Sequence, residues 1–183
     1  SGELSLGAFA GNVNATTITL TDADATINAT LEMDAAAVKT LSGTVDGGVA
    51  NTGTLKISGA GKVVAGVVGG IQPLRMVDLD ALTTFNSNVS ALGLNLAAGT
   101  LSHVKGDLTI GATNAVLADA TAQLFISGTG DQTITGQLTG AGAETGIVDV
   151  TNAGGTVTFA SAMGTTQELA EVELNAGSKS IFN

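Results

Sequence analysis

Two stretches of this chain repeat each other at long range, and that repetition narrows the folds open to it. Thr54 to Gly70 reads TLKISGAGKVVAGVVGG, and Gln123 to Gly140 reads QLFISGTGDQTITGQLTG. Leu55, Ile57, Ser58, Gly59 and Gly61 recur as Leu124, Ile126, Ser127, Gly128 and Gly130, each 124 − 55 = 69 positions later. The match continues with small gaps. VDL from Val77 returns as VDV from Val148, TTF ending at Phe85 as VTF ending at Phe159, and LNLAAG from Leu94 as VELNAG from Val172. The repeat units run over about 54–100 and 123–178 of what reads as a single β domain, 1–183. Long-period repetition marks arrays and solenoids, whose neighbouring units stack and share one core.

The material for that core is unusual. Apolar residues make up 44% of the chain, but aromatic residues only 3%, with no Trp or Tyr, so the interior is built from Val, Ile, Leu and Ala. Small side chains suit narrow repeated layers better than one roomy centre. With 26 Gly and one Pro, turns fall to Gly, Asn and Asp at positive φ.

Short segments of period two dominate. Ile18/Leu20, Ile27, Leu31/Met33, Leu55/Ile57, Val77/Leu79, Leu94/Leu96, Leu108/Ile110, Leu124/Ile126, Val148/Val150, Val157/Phe159 and Val172/Leu174 place apolar residues two apart. That spacing puts each pair on one face of a strand. Two stretches carry helix formers: Asp34 to Lys39, with Asp34 as a cap for one turn, and Thr165 to Glu173. The repeat assigns the end of the second to strand, because its counterpart at Leu92 to Leu96 alternates plainly.

Two all-β architectures fit. An antiparallel β-sandwich needs tight hairpins, for which Asp46-Gly47-Gly48 is the one good candidate. A parallel β-solenoid (β-helix) needs no hairpins, and at about 20 residues per coil gives about nine coils. The long-period repeat, the ladders of Thr, Val, Leu, Ala and Gly, and the near absence of Pro favour the solenoid. A unit of about 70 residues then spans three or four coils.

The runs Leu41-Ser-Gly-Thr-Val-Asp-Gly-Gly, Asn51-Thr-Gly-Thr-Leu-Lys-Ile-Ser-Gly-Ala-Gly and Val64-Ala-Gly-Val-Val-Gly carry a resemblance. Thr83-Thr-Phe-Asn-Ser-Asn-Val and Gly155-Thr-Val-Thr-Phe-Ala-Ser-Ala belong with them. Together they resemble the passenger regions of bacterial autotransporter adhesins, including rickettsial surface antigens and other β-strand repeat surface proteins. The resemblance covers most of Leu41 to Gly177 and implies a parallel β-helix on the cell exterior, acting as an adhesin or coat. The membrane barrel of an autotransporter carries aromatic girdles, which these residues lack.

The chemistry-bearing residues are few. Sixteen acidic against six basic residues give a formal charge of −10, and the scattered cations make no phosphate-tracking patch, so nucleic acid is not an expected partner. Without Cys there are no disulfides or thiolate sites, and no segment reads as membrane-spanning. Asp78 and Asp80 in VDLD project from one strand face, and a carboxylate pair can serve as acid and base. The repeat copy keeps Asp149 but has Thr151 in place of Asp80, and Arg75 is the one arginine, so a solvated strand face is the favoured reading. For calcium, Asp22-Ala-Asp24 and Gly130-Asp131 are the nearest fragments, and neither completes a binding pattern. A calcium site built between coils or subunits stays open as the one cofactor. His103 stands without a second His or an adjacent carboxylate and reads as a surface or turn histidine. Gly66 to Gly70 lacks a phosphate-loop ending and reads as turns or coil corners. The sequons at Asn14, Asn28 and Asn88 read as chance in so Asn- and Thr-rich a chain.

No catalytic, cofactor-binding or metal residue is therefore assigned. The expected role is a non-enzymatic extracellular structural or adhesive protein on a prokaryotic surface, associating end to end with its own copies or with flanking repeats. Leu4 and Leu6 at one end and Ile181-Phe182 at the other are apolar where a cap would be polar. A filament or S-layer subunit, and a polysaccharide-binding or -cleaving β-helix, are the alternatives.

Overall fold

A computed structural model describes residues 3–5, 12–22, 28–175 and 177–183. Its strands in chain order are β1 (Glu3–Ser5), β2 (Val13–Leu20), β3 (Thr30–Met33), β4 (Thr40–Gly47), β5 (Thr52–Ile57) and β6 (Lys62–Val64). Next come β7 (Leu74–Leu79), β8 (Thr83–Phe85), β9 (Val89–Leu96), β10 (Leu101–Val104), β11 (Leu108–Leu117) and β12 (Gln123–Ile126). The last are β13 (Gln132–Thr135), β14 (Leu138–Gly140), β15 (Ile147–Val150), β16 (Thr156–Phe159), β17 (Glu171–Leu174) and β18 (Lys179–Phe182). One sheet runs β1-β3-β5-β7-β9-β11-β13-β16-β18 with β14 on β11, and the other runs β17-β15-β12-β10-β8-β6-β4-β2. Pairing between strands that alternate in sequence means the chain winds as a coil, so the molecule is a parallel β-solenoid.

Three columns of inward residues run along its axis. The first is Val13, Leu41, Val64, Phe85, Val104, Ile126, Val150 and Leu174. The second is Ile18, Val45, Val68, Val89, Leu108, Ile134, Phe159 and Phe182. The third is Leu31, Leu55, Val77, Leu94, Ala115 and Leu138, with the β1 backbone at Leu4 paired to Leu31. Between the ends these side chains are 4% exposed or less and form one continuous core.

The winding corrects the expected number of coils. Val13 to Leu174 takes seven steps over 174 − 13 = 161 residues, or 161/7 = 23 per turn. About seven turns replace about nine, because each coil lays down three strand segments with a corner between each. Every strand pairing is parallel, which removes the sandwich alternative. Asp46-Gly47-Gly48 turns the chain from β4 toward β5 without a hairpin, and Asp46 Oδ1 instead accepts the Ile71 N–H at 3.1 Å. Asp34 to Lys39 forms bends and no helical turn, and β17 occupies the end of the Thr165 to Glu173 stretch. Non-glycine positive φ falls on Asn51, Asn114 and Glu144, with no Asp among the described residues.

The repeated segments sit on different faces. From Leu55, three ladder steps lead through Val77 and Leu94 to Ala115, and the next strand along the chain carries Leu124. Val77 reaches Val148 by the same displacement, through Leu94, Ala115 and Leu138. Phe85 likewise reaches Phe159 through Val104, Ile126 and Val150. The repeat therefore spans three turns plus one face.

Candidate functional site

Close stacking is built first from the backbone. Gly43 has φ +97°, and a Cβ there would lie 1.6 Å from the Ala15 carbonyl oxygen. In the next coil a Cβ on Gly66 would lie 1.8 Å from the Gly43 oxygen. Only glycine lets the coils meet at this corner. Gly66 thus makes a coil corner, whereas Val68 in the same Gly66 to Gly70 run is an inward position of the second column.

Two corners are filled by long polar side chains that the sequence does not advertise. Lys62 is 1% exposed, and its Nζ donates to the carbonyls of Ala35, Ala37 and Ala60, the last two at 3.0 Å. Burial pushes its pKa below the ordinary lysine value. Gln132 is 2% exposed and donates to the carbonyls of Val104 (3.2 Å) and Gly106 (2.8 Å), while its Oε1 accepts the Gly128 N–H at 2.9 Å. Asn152 joins it, donating from Nδ2 to Gln132 Oε1 at 2.8 Å and accepting the N–H groups of Gly154 and Gly155. Lys62 and Gln132 each close the repeated motif, following Ile57-Ser-Gly-Ala-Gly and Ile126-Ser-Gly-Thr-Gly-Asp. Each ties its own corner to carbonyls of the preceding coil.

The Asx residues do similar work at the strand starts. Asn12 Oδ1 accepts the Thr40 N–H (3.0 Å), Asn88 Oδ1 that of Asp107 (2.9 Å), Asp107 Oδ1 that of Thr133 (2.8 Å), and Asp131 Oδ1 that of Thr156 (2.8 Å). Each side chain caps a backbone donor one coil further on. Asp22 Oδ1 accepts from Ala29 (2.7 Å) and Gly53 (3.2 Å). Both calcium fragments therefore hold backbone, with Asp24 lying outside the described residues. Among the described residues no group of three or more His, Cys, Asp or Glu is placed to hold a metal.

The carboxylates of VDLD are engaged separately. Asp78 Oδ1 accepts from Asn95 Nδ2 at 2.8 Å, and Lys56 lies between Glu32 (3.4 Å) and Asp80 (3.9 Å). The Glu32 carboxylate is the main cause holding the Lys56 pKa above its ordinary value. Arg75 donates to Thr54 Oγ1 at 2.9 Å. Asp149 is 6% exposed and accepts from Gln123 Nε2 and Asn175 Nδ2. His103 is a half-buried strand residue whose ring stacks on Phe125 with centroids 4.4 Å apart. Burial first, then the Lys105 charge, lowers its pKa. Asn14 and Asn88 are exposed and Asn28 is half-buried.

Two surface features of the described residues bear on function. A hollow of about 370 Å³ lies between Met76, Asp78, Leu94, Asn95, Thr113, Asn114 and Val116. It forms where β11 breaks register between Ile110 and Asn114. The second feature is the last described coil. Val172, Leu174 and Phe182 continue inward positions, yet are 38%, 50% and 53% exposed, against 1% or less for Val148, Val150 and Phe159 beneath them. Phe182 stacks on Phe159 at 5.0 Å, with its other ring face uncovered by any described residue. Ile181, grouped with Phe182 by sequence, is outward-facing beside Thr158. Leu6 lies outside the described residues.

No family model matches the chain, and comparison with curated proteins and with solved structures found no match. No helix among the described residues is long and apolar enough to cross a membrane.

Proposed function

We propose that this chain is a non-catalytic structural and adhesive protein of a prokaryotic cell exterior, a length of β-solenoid that works through its surface and its ends. One observation carries the reading: the long polar and Asx side chains at the coil corners hold coil against coil. Lys62, Gln132, Asn152, Asp107 and Asp131 all bond backbone of another coil. The open inward face of the last coil suits an element that joins further coils, from its own copies or from flanking repeats. The autotransporter-like runs between Leu41 and Gly177 support the exterior location, and a filament or S-layer subunit is the same reading with the chain as the building unit.

Immunogold labelling of intact producing cells tests the location. The expected result is label on the outer surface; label confined to the interior overturns the proposal. The hollow beside Asp78 favours one second reading, a polysaccharide-binding groove, because apolar Met76, Leu94 and Val116 and polar Asp78, Asn95 and Thr113 line it together and match a sugar's apolar face and hydroxyls. Calorimetric titration with neutral, pectin and alginate oligosaccharides checks it, and heat of binding lost in Asn95→Ala is the result that establishes it.

A further inference from the structure

We infer that the hollow beside Asp78 takes a neutral hexose unit of a polysaccharide and rejects uronate units. This rests on the second reading above, that the hollow is a polysaccharide-binding groove, and names the class of sugar it would take.

The hollow exists because one outward side chain is missing. Gly93 of β9 pairs with Met76 of β7 on one side and with Asn114 of β11 on the other. A Cβ there would lie 3.1 Å from both Met76 Cε and Thr113 Cβ, so a larger residue would occupy the space. Asn114 is held firmly beside it. β11 breaks register between Ile110 and Asn114, and Asn114 takes φ 66°, a conformation that is costly for a non-glycine residue and concentrates at ligand sites. Its Nδ2 donates to Gln137 Oε1 at 2.8 Å, and the Thr166 hydroxyl donates to the same oxygen at 2.8 Å. At about 370 Å³ the hollow stands near the lower limit of small-molecule sites, about 300–1,000 Å³, which suits one sugar unit.

The polar groups offer acceptors and no cation. Asp78 Oδ1 accepts from Asn95 Nδ2 at 2.8 Å, which leaves Asp78 Oδ2, Asn95 Oδ1 and Asn114 Oδ1 without a hydrogen-bond partner among the described residues. Three acceptors suit the hydroxyl donors of a sugar, while Met76 and Val116 supply apolar contact for its C–H face. A uronate finds no counter-charge. Among the described residues, Asp78 is the one charged group lining the hollow. Lys56, its neighbour on β5, already lies between Glu32 and Asp80 at 3.4 and 3.9 Å, and Arg75 is bonded to Thr54. Like charges in one site repel, and the chain's formal charge of −10 adds to the repulsion.

Calorimetric titration of the full chain with oligosaccharides of equal length decides the class. The probes are oligomers of glucose, mannose and galactose, set against oligomers of galacturonate and mannuronate. A neutral series is expected to bind at least tenfold tighter than either uronate series. Gly93→Leu, which fills the hollow, is expected to weaken that binding at least tenfold while keeping the strand circular dichroism. Asp78→Asn, which removes the charge and keeps the size, is expected to narrow the neutral-to-uronate ratio at least threefold. Uronate oligomers that bind as tightly as neutral ones would overturn the inference and leave the groove reading standing. No binding by any series would overturn both. Neutral binding that survives Gly93→Leu would place the site elsewhere, and a ratio unmoved by Asp78→Asn would remove the charge argument; either result overturns the inference.

Discussion

Lys62 and Gln132 occupy corners that the repeat makes equivalent, with different chemistry, and both are buried side chains that satisfy backbone carbonyls. An unpaired buried polar group costs about 1–3 kcal/mol, so a corner that loses its donor should lose stability disproportionate to one side chain. Gln132→Leu, which strips partners from Val104, Gly106, Gly128 and Asn152, is predicted to cost about 3 kcal/mol in urea unfolding. Lys62→Met should cost about 2 kcal/mol or more. A corner carboxylate adds pH dependence. Asp119 accepts first from the Thr121 hydroxyl (2.8 Å) and also from the Thr121, Gly99 and Ala122 N–H groups, which holds its pKa below the ordinary aspartate value. A depressed folded-state pKa stabilises above the unfolded value, about 3.9, and the contribution is lost as pH falls through the folded value. Amide hydrogen exchange at Gly99, Thr121 and Ala122 should therefore accelerate, relative to the core strands, only below about pH 4. Acceleration that begins near neutrality would contradict this.

At the scale of strands, legibility followed the inward positions. Strands with two inward apolar residues, such as Leu55/Ile57 in β5 and Val148/Val150 in β15, were readable as period-two pairs. β6, β8 and β10 were not, because the first inward position holds Lys62, Thr83 or Ser102 and a single apolar residue follows. The expected number of turns was too high because a generic coil of about 20 residues was assumed, against 161/7 = 23 per turn observed. The repeat was legible as modular but not as to its phase, since Leu55 and Leu124 have the same alternation whichever face they line. The polar corner plugs were not legible, because a lone Lys or Gln in sequence carries no sign of burial. Glycine roles also differ by place in the element. Gly66→Ala, whose Cβ would meet the Gly43 carbonyl, is predicted to cost about 2–4 kcal/mol. Gly130→Ala has no atom within 4 Å of the new Cβ and should stay within about 0.5 kcal/mol of the parent in the same unfolding assay.

At the scale of the whole molecule, the seven turns traced through the described residues, at about 4.8 Å each, span about 34 Å, with apolar residues exposed on the last described coil. Burying a Leu or Phe fully is worth about 1.5–3 kcal/mol, so covering Leu174, Val172 and Phe182 is a substantial driving force for adding coils. The face-to-face equivalence revealed by the repeat explains how such a rod lengthens without a new design, since one strand-and-corner unit serves more than one face. Electron microscopy of the purified chain across a concentration series tests this most directly. Unbranched rods longer than one molecule, lengthening with concentration and shortened by Leu174→Lys, are the predicted result. Particles one molecule long at every concentration would contradict it.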